Sequence, residues 1–96
     1  MVRISWDPKK SAANLAVRGF DFAFAASIFE GPTLERPDTR RDYGEIRIIA
    51  MGIADMFVLT VVYTDRIEPD GVERRIISAR RSNRRERKAY QSRPQS

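Results

Sequence analysis

Ninety-six residues, 42% of them hydrophobic and nine aromatic, suffice for one domain around a single core, and the absence of cysteine and histidine excludes a disulfide framework, thiolate metal sites and imidazole chemistry. The net charge of +5 is unevenly placed: residues 74–96 carry nine Arg or Lys against Glu86 alone, whereas residues 1–73 hold nine basic and twelve acidic side chains. No run reaches the roughly 18 apolar residues needed to span a bilayer, and the N-terminus has no signal-peptide core, so the expectation is a cytoplasmic protein without a membrane segment.

Residues 2–6, VRISW, read as a short strand. Asp7-Pro8 then supplies an N-cap and a first-turn proline for a helix whose Ala12, Leu15 and Ala16 share a face and which Gly19 ends. Lys9 and Lys10 sit in its first turn, where the helix dipole disfavours cations, a small misplacement that suggests a use for one of them. Asp21 caps a second helix with Phe22, Ala25, Ala26 and Phe29 at helical spacing, stopped by Gly31-Pro32; its aromatics read as core. The charged stretch 33–44 reads as a surface connection with an irregular edge strand.

Strands are expected at 45–51, 57–64 and 74–80. The first two are joined by a turn using Gly52 and Asp55, the last two by a loop over 65–72 built on Pro69-Asp70-Gly71. Residues 57–64, FVLTVVYT, are apolar on both faces and belong at the centre of the sheet, and the short links imply antiparallel pairing. Asn83 and Glu86 have capping-box spacing for a closing helix rich in arginine. The reading is an α+β domain over 1–91, an antiparallel sheet packed against two N-terminal helices with a basic C-terminal helix, followed by a flexible tail at 92–96.

Arginine outnumbers lysine fifteen to three, and its planar fork of donors grips phosphate through paired hydrogen bonds. An anionic partner, phosphate first, follows for residues 74–88. Arg80 and Arg81 fall at a strand end that holds them rigid. Arg84, Arg85, Arg87 and Lys88 on the helix act through their field, and Tyr63 and Tyr90 offer ring faces to unpaired bases. From charge alone, a non-catalytic nucleic-acid binder ranks above a nuclease, and a module for an acidic protein partner is a third reading.

Residues 6–14 (WDPKKSAAN), 18–29 (RGFDFAFAASIF), 61–66 (VVYTDR) and 76–90 (IISARRSNRRERKAY) resemble the BrnT family of toxins from type II toxin–antitoxin operons. The resemblance spans nearly the whole chain. It implies a RelE-like ribonuclease fold, growth inhibition through RNA cleavage, and neutralisation by a BrnA-like antitoxin dimer in a heterotetramer whose antitoxin alone contacts operator DNA. Lys10, Arg66, Arg80 and Arg81 match arginine and lysine positions of the family motifs, and Tyr63 or Tyr90, Lys10 or Glu86 is left to move protons. The family usually has Lys-His-Gly where this chain has Val17-Arg18-Gly19, so any role of that histidine falls to Arg18 or is absent, and the stretch 67–74 is longer than usual. No metal or other cofactor is expected, because RNA brings its own nucleophile in the 2′-hydroxyl and arginines can stabilise the charge that develops on phosphorus.

Overall fold

A computed structural model describes residues 1–94, and among these residues five strands and three helices form the expected α+β arrangement. β1 (Val2–Trp6) runs into α1 (Pro8–Arg18), α2 (Phe22–Ala26) and a 3-10 turn at Ser27–Glu30. β2 (Leu34–Pro37), β3 (Ile48–Ala54), β4 (Phe57–Glu68), β5 (Gly71–Arg81) and α3 (Arg84–Gln91) follow. Among the described residues no single helix is long and apolar enough to cross a membrane.

The strand order is β1-β5-β4-β3-β2. β2 to β5 pair antiparallel, as their short links require, whereas β1 lies parallel to β5, from Val2 opposite Val72 to Trp6 opposite Ile76. The sheet is therefore mixed rather than wholly antiparallel. The helices and three strands between β1 and β5 give the long crossover that parallel pairing needs.

The helix ends follow the residues that mark them. Asp7 accepts from the Lys9 N–H at 2.9 Å, Asp21 accepts from the Phe24 N–H at 2.9 Å, and Gly19 closes α1 at φ 85° with its N–H on the Leu15 carbonyl. The second helix tightens into its 3-10 turn at Ser27, whose hydroxyl donates to the Phe24 carbonyl at 2.6 Å. Phe22, Ala25 and Ile28 press on one face of the sheet, against Ala50, Ala54, Leu59, Val61, Ile76 and Ala79. Gly52 sits in the middle of β3 because a Cβ there would lie 2.8 Å from the Ile28 Cβ, so only glycine lets the helical layer approach this closely.

Two hairpins differ from the sequence expectation. β3 runs to Ala54, opposite Phe57, so the turn is Asp55-Met56 alone, with Asp55 at φ 55°. The stretch 65–72 is mostly strand rather than loop: Asp65 faces Arg74, Arg66 faces Glu73 and Ile67 faces Val72, so opposite charges and apolar side chains meet across a tight turn. Farther along this pair, Val62 lies opposite Ser78 but Tyr63 opposite Ile76, leaving Ile77 as the extra residue of a β-bulge. The bulge resets the alternation of side chains, so Glu73 and Arg75 share a face with Ser78 and Arg80.

That second face is covered at one end by α3, whose Asn83 and Glu86 form the expected capping box. Tyr90 anchors the helix: it is buried, and its hydroxyl donates to the Pro32 carbonyl at 2.7 Å. Arg93 folds back, its guanidinium 3.9 Å from the Tyr90 ring centroid and donating to the Tyr90 carbonyl. The tail expected at 92–96 thus still makes contacts at Arg93, and its last two positions lie outside the described residues.

Candidate functional site

The uncovered part of the second face holds a cleft of about 260 Å³ in which Lys10 and Arg66 meet. Arg47, Arg75, Glu45 and Glu73 complete its charged lining, with Thr64 and the bulged Ile77 between them. Strand register does most of the placing, since Arg66 lies directly across from Glu73 and Thr64 from Arg75. Lys10 arrives from the first turn of α1, the position where the dipole disfavours it, and Arg47 comes from the residue before β3.

Four cations therefore face two carboxylates. Glu45 takes the Arg47 Nε–H at 3.0 Å. Glu73 accepts from the Ser5 hydroxyl at 2.9 Å, and its oxygens lie 3.8 Å from Arg3 Nη1 and 3.9 Å from Arg66 Nη1. Arg66 remains 77% exposed, and Arg75 is exposed with no ion-pair partner among the described residues. Cations this lightly neutralised can accept an anion, and phosphate suits guanidinium geometry.

Arg75, Arg47 and Glu73 were not singled out by the sequence pattern. Arg75 reads as one of many basic residues there, and only the register about Pro69-Asp70, set by the Asp65–Arg74 and Arg66–Glu73 pairs, could have placed it beside Arg66. The bulge at Ile77 is set by pairing across β4 and β5 rather than by a local motif.

Arg80 lies on the same face but is held elsewhere. Its guanidinium grips Glu86 through two hydrogen bonds, at 2.7 and 2.8 Å, while Glu86 also caps the Asn83 N–H at 2.8 Å. The pair ties β5 to the start of α3. The hydrogen bonds from Arg80 hold the Glu86 carboxyl down at about 2, against an ordinary value of 4.5. A carboxyl depressed on folding stabilises fully above its unfolded pKa and loses that contribution as pH falls through the folded one. Wild type should accordingly lose thermal stability relative to Glu86→Gln between pH 4.5 and about 2. Parallel melting curves across that window would show the pair to be idle.

Arg81 points to the opposite face. Its guanidinium lies 4.2 Å from the Phe57 ring centroid, beside Arg18, at a separate cavity of about 410 Å³ under α1 and α2. Arg18 donates there to the Ala79 carbonyl at 2.7 Å, a backbone clamp between α1 and β5.

Tyr63 is not with the cleft either. It is buried on the helix-covered face, its hydroxyl donating to Glu35 Oε1 at 2.7 Å, with the Phe29 ring edge-on at 5.3 Å and the Arg74 guanidinium 4.1 Å from its centroid. Burial, then the bond to Glu35, pushes its phenol well above the ordinary range, so it stays protonated and is a structural group rather than a proton shuttle. Arg74 is likewise fixed, bidentate on Asp65 at 2.9 and 3.0 Å. Tyr90 offers no free ring to a base, since its faces are inside the fold or under Arg93. Arg84, Arg85, Arg87 and Lys88 do lie exposed on α3 as expected, Arg87 also donating to the Ser82 carbonyl at 2.7 Å.

Residues 6–86 match the family model described as the ribonuclease toxin BrnT of type II toxin–antitoxin systems. The chain belongs to the BrnT family. No curated protein matches it. BrnT membership makes the protein a ribonuclease toxin with RNA as substrate and an antitoxin as partner. The matched stretch also covers every cleft residue, from Lys10 to Ile77.

Proposed function

We propose that the cleft on the open sheet face is a metal-independent endoribonuclease site of a RelE-like toxin that acts in the cytoplasm, cleaving RNA and so inhibiting translation and growth. The observation that carries this is the convergence of Lys10, Arg47, Arg66 and Arg75 on one cleft beside the carboxylate of Glu73. Glu73 takes the proton of a 2′-hydroxyl, the 2′-oxygen attacks the adjacent phosphorus, and the 5′-oxygen leaves with a proton from Lys10, giving a 2′,3′-cyclic phosphate and a 5′-hydroxyl. Arg66 and Arg75 stabilise the added negative charge on the phosphoryl oxygens, often the largest catalytic contribution. With no histidine to move protons near neutral pH, turnover is slow and rests on positioning.

A BrnA-like antitoxin dimer covers the basic face of two toxins in a heterotetramer and alone contacts operator DNA. Hiding these cations blocks RNA and makes association fast and salt-sensitive. The test is cleavage of single-stranded RNA in EDTA, with product ends identified by mass. Cutting should persist in EDTA, leave cyclic phosphate, and stop when the nucleotide 5′ to the cut carries 2′-deoxyribose. Activity restored only by magnesium, or equal cutting of DNA, would sink the mechanism. RNA binding with no cutting would favour a non-catalytic binder working through the exposed cations of α3.

A further inference from the structure

We propose that the loop 38–47 is a base-stacking subsite for single-stranded RNA with Tyr43 as its platform, an inference that rests on the ribonuclease reading of the cleft. Tyr43 lies outside the core cluster and is only half-buried. Two guanidiniums lie against its ring, Arg47 at 4.0 Å and Arg41 at 5.4 Å from the centroid. Arg47 also lines the cleft, so the ring stands one side chain away from the phosphate-binding cations. Phenol and guanidinium planes are the surfaces on which unpaired bases stack, and Arg41 is exposed without an ion-pair partner among the described residues, free to close over a base.

The platform is braced. The Asp38 N–H donates to the Arg47 carbonyl at 2.8 Å and closes the base of the loop. The buried Asp38 carboxylate takes both Nε and Nη2 of Arg40 at 2.8 Å, and these bonds hold it well below the usual carboxylate range. Gly44, at φ 74°, makes the turn after Tyr43 and donates to Asp42 Oδ1 at 2.9 Å. Such bracing at an exposed loop adds little to the core but fixes the angle of one ring beside the cleft.

The experiment uses the full chain and a non-cleavable 2′-O-methyl oligoribonucleotide carrying 2-aminopurine at each position in turn. Wild type should quench the probe at one position, and Tyr43→Phe should do the same. Tyr43→Leu should lose that quench and raise Kd about tenfold, with the slope of log K against log salt unchanged because the phosphate contacts remain. Thermal melting within a few degrees of wild type shows that the Leu variant is folded, and the Phe variant serves as the positive control. Positional quenching that survives Tyr43→Leu, or is absent in a wild type that binds the oligonucleotide, overturns this inference alone. A wild type that binds no oligonucleotide overturns both it and the ribonuclease reading.

Discussion

Arg75→Ala should slow RNA cleavage by about 100-fold or more while leaving the melting temperature nearly unchanged. Arg75 makes no ion pair among the described residues, so its removal strands no carboxylate and breaks no clamp. It removes a preorganised cation from the cleft it shares with Lys10 and Arg66. The exposed α3 cations are the control: Arg84→Ala and Arg85→Ala should weaken RNA binding at every sequence and lower its salt dependence by about one counterion each, with little effect on the chemical step. Arg80→Ala belongs to a third class. It frees the Glu86 carboxylate from its two short hydrogen bonds, so any loss of activity should come with a destabilised α3. Equal, modest effects from all four substitutions would mean a charged surface with the active site elsewhere. Single-turnover rates and RNA titrations at several salt concentrations read the difference.

Tyr90→Ala should be the most destabilising single change on α3. Truncating a buried aromatic typically costs about 3–5 kcal/mol, a large share of the roughly 5–15 kcal/mol that holds a domain of this size. The residue is fully inside the fold, seals the helix onto the sheet, and bonds to Pro32 from the opposite side of the chain. A fall in melting temperature of roughly 10 °C or more follows. Tyr90→Phe, which loses only the hydroxyl, should cost about 1 kcal/mol and leave RNA affinity untouched. A Phe variant that folded normally but bound RNA poorly would instead make the hydroxyl an RNA contact.

The elements were legible wherever local chemistry decides them. Asp7-Pro8, Asp21, Gly19 and the Asn83–Glu86 box mark the helix ends where the sequence puts them. β4 is central, as its two apolar faces require. What the sequence hid was everything set by register across the sheet. Parallel docking of β1 depends on a partner far along the chain, and the strand pairing of residues 65–68 with 71–74 and the bulge at Ile77 depend on cross-strand register, although the turn at Pro69-Asp70 itself was legible.

The site inherits that division. Lys10 and Arg66 were named from the sequence and do share the cleft, but Arg81 follows β5 to the other face and Arg80 is taken by Glu86. Tyr63 and Tyr90 show the ambiguity of a tyrosine in an apolar pattern: both bury the ring and satisfy the hydroxyl internally. Arg75 and Glu73 became visible only once β5 was aligned with β4.

The parallel pairing of β1 with β5 also bears on the life of the chain before it is complete. Residues 2–6 must wait for residues 72–76 to be synthesised, and closing so long a loop is slow and late in folding. The cleft spans the same seam, with Lys10 supplied by the first helix and Arg75 by the last strand. A nascent or prematurely terminated product ending before β5 therefore carries the lysine but neither its carboxylate nor the arginine opposite. In a ribonuclease toxin, this topology withholds Glu73 and Arg75 from the cleft until β5 has been made.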